Sequence, residues 1–207
     1  MHNKIFLFLQ LFCMNAIAQS TLQGQYVFSR QEMAAAFEFA ANGKFNFYYA
    51  YGAVDHTATG TYSIHNNKLT LKSDKEPGHD FTVTKSAKNG TGYSLRFECP
   101  ETYLVSNIRC TFFIGNQTHE EYTNEKGEVS VAYPHVDKIY VQHTLFPDIS
   151  TLVKDGQNNN NRFTLSLNPS LAEVSFKGIE LKIEDDRTLS CPSNYVIMLD
   201  GIKFKKQ

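Results

Sequence analysis

The stretch FEFAANGKFNFYYAY, residues 37–51, decides the fold. Phe37 and Phe39 lie two apart, Asn42-Gly43 follows as a turn of the kind hairpins prefer, and Phe45, Phe47, Tyr49 and Tyr51 then recur at period two. Alternate residues of an extended strand share one face, so these spacings predict an antiparallel hairpin with its rings on one side. Upstream, Tyr26 and Phe28 mark a first strand. Downstream, 59–65 places Tyr62 and Ile64 inward, with Gly60 where a side chain would crowd. Asn66-Asn67 turns the chain into 68–72, with Leu69 and Leu71 on one face. Phe81 and Val83, the Asn89-Gly90 turn, and Tyr93, Leu95 and Phe97 extend the meander. A sheet with one apolar face must cover it, by curling into a barrel or by packing on something else.

The second half, from near Ser106, reads as more short strands. A strand at 109–115 is followed by the 124–127 loop (NEKG), by Val129, Val131 and Tyr133, and by Ile139, Val141 and His143. The polar stretch 154–162 (KDGQNNNNR) reads as a surface loop. Phe163, Leu165 and Leu167 alternate again, then Val174 and Phe176, then Ile179, Leu181 and Ile183. Residues 195–199 form an unbroken apolar run that reads as a buried strand, turned by Asp200-Gly201 into 202–204. Short strands closed by turn residues predict a β-sandwich. The expected fold class is therefore all-β: an antiparallel meander or partly open barrel over 19–99, then a small β-sandwich over 106–207.

Ahead of these lies a secretory signal pattern. Residues 1–4 carry one lysine, 5–14 (IFLFLQLFCM) are apolar and too short to span a bilayer, and Ala16 and Ala18 stand at −3 and −1 before Gln19. Phe12 precedes Cys13 where lipid attachment needs a small residue. Cleavage after Ala18 would export a chain starting at Gln19, to the periplasm or beyond the cell. With 20 basic against 21 acidic residues there is no basic field for nucleic acid, and no other run is long enough to cross a membrane. The 16 Phe and 11 Tyr, with no Trp, suit pleated half-buried surfaces. After cleavage Cys99, Cys110 and Cys191 remain, so one disulfide is permitted with three possible pairings.

Gly43-Lys44-Phe45, the run 49–55 (YAYGAVD) and the run 58–62 (ATGTY) resemble uncharacterised exported bacterial proteins with a lipocalin-like β-meander. The segment 110–141, with its 123–129 turn (TNEKGEV), is similar to transthyretin-like or carboxypeptidase-regulatory-like sandwich modules. These resemblances imply a fold and an envelope location, and they carry no catalytic residue.

Complete catalytic constellations are missing from the sequence. His119-Glu120 opens like a zinc-protease motif, but the second histidine position is Thr123 and the segment reads as strand. Asp55-His56 and His79-Asp80 could each supply a general base, though both sit beside turn formers. Asp185-Asp186 lacks calcium-loop spacing. No metal or cofactor is expected. Phe45, Phe47, Tyr49, Tyr51 and Tyr62 form the candidate ligand face, because inward tyrosine hydroxyls suit a polar-tipped cavity. The expected role is a non-enzymatic binding or interaction module whose partner is a protein or a small apolar ligand. A carrier using the aromatic face and a hydrolase using an Asp-His pair are the alternatives.

Overall fold

The computed structural model describes residues 22–52, 54–197 and 199–207. The signal pattern at 1–18 lies outside the described residues. Five strands open the chain: β1 (Gly24–Arg30), β2 (Met33–Phe39), β3 (Lys44–Tyr51), β4 (Val54–His65) and β5 (Lys68–Ser73). Eight more follow: β6 (Phe81–Ala87), β7 (Tyr93–Glu98), β8 (Ile108–Ile114), β9 (Gln117–Tyr122), β10 (Glu128–Val131), β11 (Lys138–His143), β12 (Thr151–Lys154) and β13 (Arg162–Leu167). The last three are β14 (Lys177–Asp185), β15 (Thr188–Cys191) and β16 (Ile202–Lys206). The chain is all-β, and among the described residues no helix is long and apolar enough to cross a membrane.

A closed eight-stranded antiparallel barrel runs β1-β16-β15-β14-β5-β4-β3-β2. The 37–51 hairpin forms as its sequence predicts, with Phe37 opposite Phe47 and Phe39 opposite Phe45. Gly60 faces Ser73 across β4 and β5, and a Cβ there would come within 2.1 Å of the Lys72 carbonyl oxygen. Only glycine permits that approach. Between β5 and β14 the chain leaves the barrel and builds a sandwich from two sheets, β10-β7-β13-β6 and β12-β11-β8-β9. Leu95, Phe97, Ile108, Phe112, Ile139, Val141, Phe163 and Leu165 fill it.

Three expectations need correction. The strands at 81–87 and 93–98 belong to the sandwich, so the division expected between residues 99 and 106 falls inside it, and β14 to β16 close the barrel instead. Asn89-Gly90 closes no hairpin, because β13 lies between β6 and β7, parallel to β7. Alternation reports which face is buried and says nothing about the partner strand. The apolar run at 195–199 is also no strand where it is described. Asn194 Oδ1 accepts the N–H groups of Val196 and Ile197, both at 2.9 Å, and these two side chains are buried with the barrel core.

Candidate functional site

The predicted ligand face is divided by the structure. Phe45 and Phe47 lie in the barrel core, 2% and 3% exposed. Phe47 packs against Phe37 at 4.7 Å between ring centroids and edge-on to Phe176 at 4.9 Å, while Phe45 meets Phe176 at 5.7 Å. Such spacing is that of a filled aromatic core. Tyr62 is buried beside them, its hydroxyl within 2.5 Å of the Leu22 carbonyl oxygen and 2.9 Å of that of Ala40. Tyr49 is half-buried, stacked on Phe47 and 5.8 Å from the His56 ring. Tyr51, at the strand end, is 54% exposed and joins none of them.

Neither Asp-His pair assembles. Successive residues of β4 face opposite ways, so Asp55 lies outside, accepting the Tyr48 hydroxyl at 3.0 Å, while His56 is buried. His79 is exposed beside Glu76 at 3.4 Å, and Asp80 is buried. His119 sits on strand β9 against the Tyr133 ring. Asp185 Oδ1 accepts the Arg187 N–H in a turn. The three thiols are all free, so the permitted disulfide does not form. Cys110 is in the sandwich core and Cys191 in the barrel core. Burial raises all three thiols, Cys191 to about 11, and Glu101 adds to the rise at Cys99.

Buried polar chemistry concentrates where the chain crosses between barrel and sandwich. Lys75, just after β5, places Nζ 2.5 Å from Asp80 Oδ1 and 2.9 Å from Asp148 Oδ2, and also donates to the Glu173 carbonyl oxygen. These three charged side chains are only 3%, 2% and 1% exposed. Asp148 comes from the loop between β11 and β12, and its Oδ2 also accepts the Ser175 N–H at 3.0 Å and hydroxyl at 2.7 Å. Asp80 donates its backbone N–H to Thr151 Oγ1 at 3.1 Å. On the barrel side, Ser73 Oγ accepts the Phe176 N–H at 2.8 Å, and Tyr195 donates to the Ser175 carbonyl oxygen. Both crossings, 74–80 and 168–176, are thus tied to each other and to the sandwich.

One ammonium against two carboxylates leaves this dry cluster short of positive charge. Burial pushes the Asp80 carboxyl up to about 6, against the pull of Lys75 and with the repulsion of Asp148 added. His56 borders the cluster, its ring 5.6 Å from that of Phe146. Burial first, and then the Lys75 charge, hold His56 below the usual imidazole range, so it is neutral at physiological pH. His56 Nδ1 and Asp148 Oδ1 are buried without a hydrogen-bond partner among the described residues. Two grooves flank the seam. One of about 480 Å³ is lined by Leu71, Lys72, Lys75, Pro77, Phe176 and Lys177. The other, of about 430 Å³, is lined by Cys99, Phe146, Leu167, Pro169 and Leu171 among others. Both volumes fall in the range of small-molecule sites.

No family model matches the chain, and neither does any curated protein or any solved structure. The resemblances at 43–62 and 110–141 therefore rest on those motifs alone. Sequence reasoning missed the seam because Lys75 and Asp80 sit in an ordinary turn-rich segment, while Asp148 and Ser175 are far along the chain. The one available signal was a lysine and an aspartate bracketing Pro77-Gly78.

Proposed function

We propose that the protein is an exported, non-enzymatic binding or interaction module in which the barrel serves as scaffold and contacts are made from its outer surfaces. The observation that carries this reading is the filled barrel: Phe37, Phe45, Phe47, Phe176 and Phe204 occupy the space a carried ligand would need. The separation of Asp55 from His56, and of His79 from Asp80, weighs against the hydrolase. Export rests on the sequence pattern of 1–18.

A carrier remains as a second reading because of the groove over Leu71 and Phe176, which moves its site from the aromatic face to the seam. Native mass spectrometry of the mature chain, residues 19–207, tests the choice. The interaction module runs with no mass added to the polypeptide. A stoichiometric apolar passenger would overturn it in favour of the carrier. Hydrolase activity on a broad substrate panel, lost in His56→Ala or His79→Ala, would overturn both.

A further inference from the structure

The seam holds an amine and a carboxyl group in contact, sealed from water, with a second carboxylate touching the same nitrogen. We propose that Lys75 and Asp80 join as a side-chain amide, with Asp148 as the catalytic base. The Lys75 nitrogen is 2.5 Å from Asp80 Oδ1, so it stands beside the carbon it would attack. Groups held in such contact react as though enormously concentrated. Asp148 Oδ2, at 2.9 Å, takes one proton from the ammonium and frees its lone pair. The pair attacks Asp80 Cγ, the C–N bond forms, and the C–OH bond of the protonated acid breaks. The second nitrogen proton leaves with that hydroxyl as water. Nothing is oxidised or reduced, and no co-reactant is needed.

The two carboxylates are prepared for different parts. Asp148 Oδ2 receives the Ser175 N–H and hydroxyl, contacts that hold this oxygen against the Lys75 nitrogen where a base must stand. Asp80 receives no such side-chain support beyond the ammonium, and its burial favours the protonated, electrophilic acid. The product also relieves the site. With Asp80 protonated, the Lys75 ammonium and the Asp148 carboxylate give way to a neutral amide and a protonated Asp148, which removes the penalty of holding two opposite charges away from water. The bond would close residues 75–80 into a ring at the outgoing crossing. An exported chain whose three thiols are unpaired would thus carry a different covalent staple.

The mature chain, purified and denatured, tests this by mass. The proposal expects a mass lighter than the sequence by one water. Trypsin should then fail to cut after Lys75 and give a single fragment, 73–85, carrying that deficit. Cyclisation of Gln19 loses ammonia and leaves 73–85 untouched, so it cannot imitate the result. Asp148→Asn and Lys75→Arg should each restore the full mass. A wild-type chain of full mass, cut normally after Lys75, overturns the proposal even if neither variant folds. A branched product joining 73–85 to 139–154 would make Asp148 the acceptor and overturn the roles assigned.

Discussion

In the barrel, Phe37 lies against Phe45, Phe47, Phe176 and Phe204 with ring centroids 4.7 to 6.3 Å apart, whereas at the seam Lys75 lies against Asp80 and Asp148 at 2.5 and 2.9 Å. Both regions are dry, and they respond differently to damage. Apolar contacts are many, weak and roughly additive, so losing one ring costs what that ring contributed. A buried ion cluster is coupled, and removing one member strands the others as uncompensated charge. The barrel thus supplies bulk stability, while the seam fixes how the chain passes between the two bodies.

The largest effect should come from cutting across this arrangement. A fragment of residues 19–99 lacks β14, β15 and β16, three of the eight barrel strands, and holds β6 and β7 without the rest of their sheet. Circular dichroism of that fragment should show an unfolded chain. A chain in which 81–167 is replaced by a short flexible linker should keep the barrel. A folded 19–99 fragment would mean that the barrel can close without its last three strands.

That contrast shows what the sequence made legible. Phe45 and Phe47 were readable as inward because period-two spacing is a local property, and Gly60 was readable as a crowding point for the same reason. The all-β class followed from such strands. Partner choice did not, because β5 pairs with β14 about a hundred residues on, and no local pattern encodes that pairing. The seam was illegible for a related reason. Lys75, Asp148 and Ser175 become one site only after both crossings have formed. Tyr51 marks the limit of periodicity, since it keeps phase with Phe47 yet lies where β3 runs past the core.

Lys75→Met sharpens the comparison next. It removes the nitrogen that Asp80 and Asp148 share, as ammonium or as amide, and leaves two buried carboxyl groups without it, so it should cost about 5 kcal/mol, the upper end for breaking a buried pair. Urea denaturation at neutral pH would measure it. A loss under about 1 kcal/mol would mean that the cluster is solvated in practice.

Phe47→Ala should cost somewhat less, about 4 kcal/mol, as the void left by one ring in a packed core. If the variant folds with little loss, the aromatic face is a pocket and the carrier reading regains its first site. Smaller still is Tyr62→Phe, which removes one hydroxyl bonded to backbone carbonyls and should cost about 0.5–1.5 kcal/mol in the same assay. Tyr51→Ala, outside the core, should shift stability by less than about 0.5 kcal/mol.

Scanning calorimetry of the chain of residues 19–207 tests the central claim, that the barrel and sandwich are locked at the seam into one cooperative body. The account predicts a single transition whose calorimetric and van't Hoff enthalpies agree, and its division into two transitions in Lys75→Met. Two separate transitions in the wild-type chain would contradict it, because the seam would then hold nothing together.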